Sequence, residues 1–386
     1  MLTRRSFLLG SGTLTLFALN SGCNPTTSSL RVSLLQGSIP PQLIQQFRQK
    51  IAQDNKIVIK PEAQLKDILT LLQKWQKSVN KPADSSEWQM PLINSGKSPV
   101  DDLVTLGDAW LEIAISEKLI QPLSLKQLSG WKNLPPSFAE IVQRDTKGKV
   151  SLTGQIWGAP YRWGTTLIAY RQDKFKTLGW EPQDWSDLWR PELKGRISMV
   201  DQPREIIGLT LKKMGYSYNT TNLDNIPQLS SELKSLQQQV KYYSSNHYLQ
   251  PLILGDTWLA VGWSNDILSS LSNNRNLKAI VPLSGTSLWA DLWVKPAMVN
   301  RDDTSVIEQW IDFCWQTQPA YLISLFTKGI SPVILTQSSE KLPKELQENS
   351  LLIVNKSILE KSEFILPLAA ELAQKYQDLW QEMRLS

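Results

Sequence analysis

Histidine and cysteine are what this sequence has least of: its 386 residues include one His, His247, and two Cys, Cys23 and Cys314. A single His excludes His-rich metal sites, His–Cys zinc sites and the HExxH helix. Two cysteines so far apart exclude an iron–sulfur cluster and a disulfide framework. Any Ser- or Cys-based triad would have to use His247, which lies in the polar run Ser244-Ser245-Asn246 with no G-x-S-x-G elbow beside it. It is expected to be a surface or cap histidine. Excess charge is also scarce: 41 Lys and Arg against 36 Asp and Glu give a formal charge of +5, dispersed along the chain. That pattern is too weak and too dispersed to point to nucleic acid, and no nucleic-acid partner is expected. Beyond the N-terminal segment no stretch approaches 18 consecutive apolar residues, so no membrane span is expected in the body of the chain.

What is abundant is tryptophan, with sixteen residues. An indole supplies core mass, and also a flat π-face with one N–H donor that can cover a cation or a methylene chain. At this length the chain exceeds one average domain, and two lobes are expected.

The N-terminus carries a leader pattern. Thr3-Arg4-Arg5-Ser6-Phe7-Leu8-Leu9 sets paired arginines before a moderately apolar stretch ending at Leu19, too short to anchor stably in a bilayer. It resembles the twin-arginine export signal, which carries folded cargo across the membrane. Leu19-Asn20-Ser21-Gly22-Cys23 resembles a lipobox, with Asn20 where the usual Leu stands. Residues 1–22 are therefore expected to be a signal peptide, Cys23 a lipidation site and 23–29 a flexible tether, in a periplasmic protein held at the membrane through that lipid.

Strand and helix patterns alternate from there. Strands are expected at Arg31–Leu35 and Lys56–Ile59. Each is followed by an amphipathic helix, one carrying Leu43, Ile44, Phe47 and Ile51, the other Ile68, Leu69, Leu72 and Trp75. Such alternation predicts a parallel sheet with crossovers. The polar tract 77–101 interrupts it as a surface insertion, and Asp102–Leu106 resumes a buried strand. Two further strands, Gln155–Pro160 and Thr165–Tyr170, are expected to flank Tyr161-Arg162-Trp163-Gly164. Helices are expected at about Pro203–Met214, Val306–Thr317 and Pro367–Arg384, and short strands at Ala260–Trp263 and Ala279–Pro282.

The middle of the chain carries the specific signal. The segments Gly154-Gln155-Ile156-Trp157-Gly158-Ala159-Pro160-Tyr161-Arg162-Trp163-Gly164 and Trp185-Ser186-Asp187-Leu188-Trp189-Arg190-Pro191-Glu192-Leu193-Lys194-Gly195 begin it. Asp201-Gln202-Pro203-Arg204-Glu205, Gly262-Trp263-Ser264-Asn265 and Trp289-Ala290-Asp291-Leu292 follow in order. Together these resemble the periplasmic polyamine-binding proteins, the spermidine/putrescine receptors of ABC importers, over roughly residues 30–340. The resemblance implies an α/β fold of the two-lobed periplasmic-binding-protein type (type II), with a ligand cleft at the hinge. The first lobe would comprise 30–164 plus about 290–335, the second 165–289 plus about 336–386. It implies a monomer that captures a cationic polyamine, needs no cofactor or metal, performs no catalysis and docks on a membrane permease.

A polyamine site requires carboxylates for ammonium groups and aromatic faces for the methylenes. Glu205 stands in the first turn of a helix just after a strand end, which in an open α/β lobe faces the cleft. A carboxylate complementing the helix dipole is its plain alternative. Trp289 and Asp291 are two apart on an extended segment and share a face, as a plate and a counter-ion for one ammonium would; a buried strand Trp beside a surface Asp is the alternative. Trp263 ends an apolar strand, where a core indole is the competing reading. The resemblance maps all four onto ligand positions. Gln202 stands where the family commonly has a second carboxylate. The first loop, Leu34–Ile39, lacks the family's aromatic rings. Leu106-Gly107-Asp108-Ala109-Trp110 replaces a Ser/Tyr-rich loop, and Asp108 or Trp110 is expected to compensate there, with helix capping by Asp108 equally open.

Three other readings compete. A receptor for another solute is one, with Tyr242-Tyr243 similar to the tyrosine pair of ferric-ion receptors. A carboxylate hydrolase needs two carboxyl groups about 5–10 Å apart, for which Glu205 and Asp291 are the pair to nominate. A non-transport exported lipoprotein on the same fold is the third.

Overall fold

The computed structural model describes residues 29–51, 56–79, 100–300 and 304–386. The signal peptide 1–22, Cys23, the tether as far as residue 28 and residues 80–99 of the insertion lie outside the described residues.

Nine principal strands are Ser29–Leu35 (β1), Lys56–Glu62 (β2), Leu103–Gly107 (β3), Ala159–Arg171 (β4), Ile197–Met199 (β5), Val240–Tyr243 (β6), Leu259–Trp263 (β7), Leu277–Ile280 (β8) and Ser287–Pro296 (β9). They lie in one mixed sheet in the order β2-β1-β3-β9-β4-β7-β5-β6, with β8 pairing with β4. β1 runs parallel to β2 and β3, and β5 parallel to β6 and β7. β9 and β4, at the middle, are antiparallel to each other.

Helices α1 (Pro41–Lys50) and α2 (Leu65–Val79) return the chain between the first strands, as the i, i+3, i+4 spacing of their apolar residues requires. Helix α3 (Pro203–Lys213) starts with Pro203 at its first position, where a missing N–H costs nothing. Helices α4 (Ser264–Asn273), α5 (Ser305–Cys314) and α6 (Ala370–Arg384) complete those used below. The expected helix Val306–Thr317 ends at Cys314, and a second helix begins at Thr317. No helix among the described residues is long and apolar enough to cross a membrane.

Two hydrophobic cores divide the molecule. One gathers β1, β2 and β3 with Tyr161, Trp163, Leu292, Trp310 and Trp315. The other gathers Leu167 to Tyr170 with Trp185, α3 residues and Tyr376. Strand β4 serves both: its residues up to Trp163 belong to the first core and those from Leu167 to the second. The C-terminal segment also serves both, with Leu342 and Leu346 in the first core and Trp380 and Met383 in the second. Cys314 is a buried free thiol on α5, which burial holds well above its ordinary value.

The structure corrects one expectation. The stretch 155–170 is not two strands around a loop: β4 runs unbroken from Ala159 to Arg171, buried along nearly all its length. Gly164 reads as a break in the pattern, yet it is a strand residue opposite Trp289. A Cβ there would stand 2.4 Å from Trp289 Cζ2 and 2.3 Å from Ser264 Oγ. Glycine is required so that the indole can lie across the strand.

Candidate functional site

The site candidates lie where β4 and β9 pass from one core to the other. Their antiparallel register sets Asp291 opposite Arg162 and Trp289 opposite Gly164. On its other side, Asp291 pairs with Gly107 of β3. Strand β7 brings Trp263 opposite Thr166. Glu205 arrives from the first turn of α3.

Glu205 is 7 % exposed. The Ser287 hydroxyl donates to it at 2.6 Å, and Thr166 Oγ1 lies 3.3 Å from both carboxylate oxygens. Burial pushes its carboxyl above the usual range, while Ser287, Thr166, the Trp263 indole and, more weakly, the charge of Arg204 pull the other way by favouring the charged form. Among the described residues no cation forms an ion pair with it. The dipole of α3 is therefore only part of its environment, and the rest is a lining of hydroxyls and an indole.

Asp291 is in the opposite situation. Arg162 Nε and Nη2 reach its Oδ2 at 2.7 and 2.5 Å, and both side chains are almost wholly buried. The guanidinium also donates from Nη1 to the Thr327 carbonyl at 3.0 Å and lies 5.5 Å from the Trp289 ring centre. Burial works against the charge on Arg162, and Asp291 together with Tyr161 and Asp266 outweighs it and holds the guanidinium above its ordinary value. Burial likewise pushes Asp291 up against the pull of Arg162. The shared face of Trp289 and Asp291, expected to receive an ammonium, thus already holds a cation from the same chain. Committed to Arg162, Asp291 does not form a free carboxylate pair with Glu205.

The remaining candidates are placed as follows. Trp289 and Trp263 are half-buried: Trp289 Nε1 donates to the Thr165 carbonyl at 3.3 Å, while the Trp263 backbone N–H donates to Tyr248 Oη at 3.1 Å and its indole hydrogen-bonds Glu205. Asp108 begins a short 3₁₀ turn, yet its carboxylate accepts the Ala290 N–H of β9 at 2.9 Å, which ties the turn to the central strand. Burial pushes it up to about 7, against the Ala290 N–H and Arg144. Trp110 packs at the edge of the first core. Gln202 precedes α3 without capping it and donates to Ser245 Oγ at 3.2 Å. His247 is exposed in its polar turn.

Sequence reasoning missed Arg162, Asp266, Tyr248 and Ser287 as site members. Arg162 carried a signal, a lone charge between two aromatics in a buried strand, but its partner depends on a register that a sequence does not print. Asp266, at the start of α4, accepts the Tyr248 hydroxyl at 3.0 Å; burial raises its carboxyl, and Arg162 on the same side lowers it. Gly262 leaves room for that tyrosine ring, which a Cβ would meet at 2.0 Å.

Two cores joined by crossing strands, with polar side chains gathered at the crossing, define the two-lobed α/β class of binding proteins. A family model for bacterial extracellular solute-binding proteins matches residues 98–362, and the chain belongs to that family. A spermidine/putrescine-binding periplasmic protein of Salmonella typhimurium is 27 % identical over 222 residues, 57 % of this chain and 60 % of that one. The putrescine-binding periplasmic protein PotF of Escherichia coli is 29 % identical over 218 residues, covering 52 % and 57 %. A putrescine/cadaverine-binding protein of Pseudomonas aeruginosa is 35 % identical over 190 residues, covering 47 % and 50 %. The chain thus spans at most about 60 % of the length of these curated relatives. The fold is shared more widely. The spermidine/putrescine substrate-binding protein PotD of Streptococcus pneumoniae superposes with a TM-score of 0.74 at 21 % identity, over 93 % of this chain and 99 % of its own.

Proposed function

We propose that this protein is the substrate-binding component of an ABC importer and captures a small cationic amine between its lobes for delivery to a membrane permease. The observation that carries this reading is Glu205, a buried carboxylate that sits among hydroxyls, beside Trp263, and forms no ion pair among the described residues, with Arg204 acting on it only at longer range. A buried carboxylate without a counter-ion is costly, and an ammonium ligand would remove that cost. Trp263 and Trp289 then flank the ligand chain, with Gln202, Asp108 and Trp110 in outer positions. Polyamine-binding relatives support the same ligand class.

The lobes of this reading meet near 164/165 and 289/290, where the core membership of β4 changes and Trp289 crosses Gly164. Export by the Arg4-Arg5 leader, a lipid on Cys23 and a monomeric state belong to the same proposal. The tyrosine pair offers little to a ferric ion. Tyr243 donates to Gln237 and lies beneath Arg384, on β6 at the sheet edge.

Calorimetric titration with putrescine, spermidine, n-butylamine, basic amino acids and ferric citrate tests the reading. Heat from at least one amine, lost in Glu205→Gln, is the expected result. A response to ferric citrate with none to any amine would overturn it.

A further inference from the structure

We propose that Arg162 is a tethered cation that occupies the ammonium place at the Trp289–Asp291 end of the cleft, so that the site accepts a ligand with one ammonium group, held by Glu205, and not a diamine spanning the cleft. This rests on the amine-binding reading above and narrows its ligand.

An ammonium subsite consists of a carboxylate and a π-face, and the Arg162 guanidinium engages both at once. Two of its nitrogens meet Asp291 Oδ2, and the π-face of Trp289 lies beside its central carbon. Its third nitrogen is fixed by the Thr327 carbonyl. The surroundings are shaped around this side chain. A Cβ on Gly329 would stand 2.6 Å from Arg162 Cγ and 2.8 Å from its Cδ, so the neighbouring backbone comes within contact distance of the stem. The backbone of the next strand residue, Trp163, exchanges two 2.8 Å hydrogen bonds with Ile330, which pins the 329–330 segment against β4. An arginine held by a carboxylate, a carbonyl and close packing is part of the fold and does not swing away as a solvated side chain would.

The electrostatic consequence follows from the pairing. Asp291 is compensated, and Asp266 on the same side has its own partner in Tyr248 and feels Arg162. A second ammonium brought to the Trp289–Asp291 face finds its carboxylate already paired and meets a fixed positive charge. Glu205 has hydroxyl partners and no ion pair among the described residues, with Arg204 acting on it only at longer range. The junction between the cores is thus unsymmetrical in charge, with an ion pair at Asp291 and none at Glu205. The matching ligand has one ammonium head and an uncharged remainder lying against Trp263 and Trp289.

The test is competitive calorimetry with n-butylamine and putrescine on the wild-type protein, Arg162→Met, and Arg162→Met/Asp291→Asn. Putrescine is expected to bind the wild type no more tightly than n-butylamine. Arg162→Met frees Asp291 and is expected to tighten putrescine at least tenfold while leaving n-butylamine within about threefold. The added Asp291→Asn change is expected to abolish that gain. Tenfold tighter putrescine binding by the wild type, lost in Glu205→Gln, would overturn the role of Arg162 and leave amine capture standing. No response to either amine from any of the three proteins would overturn both. The wild-type comparison decides the matter alone if Arg162→Met does not fold.

Discussion

Two buried carboxylates, Glu205 and Asp291, lie at the junction between the cores and differ in what surrounds them. Asp291 stands mid-strand on β9, opposite an arginine at 2.5–2.7 Å. Glu205 stands in a helix first turn, facing hydroxyls and an indole. In sequence both are carboxylates in segments that resemble ligand positions, Asp291 two residues from Trp289 and Glu205 next to Arg204. In space one is an internal ion pair, and the other is an acceptor of hydrogen bonds with no ion pair among the described residues. The difference teaches that a residue resembling a ligand contact keeps that role only if the fold has not already supplied the ligand's charge.

Removing one partner of a buried ion pair leaves the other charge stranded, at a cost of roughly 3–5 kcal/mol. Asp291→Ala should therefore unfold at much lower denaturant than wild type, while Glu205→Gln should be as stable or more so. Equal losses in the two variants would break the contrast. In binding the order reverses: Glu205→Gln should weaken amine affinity by roughly 1.5–3 kcal/mol, the scale of a hydrogen bond to a charged group, as read by calorimetry. Gly164→Ala tests the geometry between the two carboxylates. Its methyl would collide with Trp289 and Ser264, and an overpacking loss of roughly 1–3 kcal/mol should appear in denaturant melts, together with shifted Trp289 fluorescence. A silent Gly164→Ala would mean that the indole does not lie across β4.

The smallest expected effect concerns Asp108, on the Asp291 side. Its carboxyl is pushed up to about 7 from the ordinary carboxylate range, so the folded state binds a proton that the unfolded state releases. The resulting stability is complete below about pH 4 and is lost as pH rises through about 7. Asp108→Asn should flatten the thermal stability profile between these limits. A pH dependence identical to wild type would place the raised group elsewhere.

Much of the fold was legible because it rests on short-range signals. The helix spacing in α1 and α2, Pro203 ahead of α3 and the apolar β7 ending at Trp263 all follow from periods and punctuation. Strand β4 was divided because a glycine serving a cross-strand indole looks the same in sequence as one serving a turn. The site was partly legible. Glu205 and Trp263 could be nominated from their places at a helix start and a strand end. Arg162 could not be joined to Asp291, because the two are 129 residues apart and meet only through the β4–β9 register.

The central claim is that Glu205 is the free anion of the cleft and Asp291 is not. It is tested most directly by comparing n-butylamine affinity in Glu205→Gln and in Arg162→Met/Asp291→Asn, where the ion pair is replaced by neutral groups. The account predicts at least a tenfold loss in the first and a change of no more than about threefold in the second. A tenfold loss in the second, with little change in the first, would contradict it.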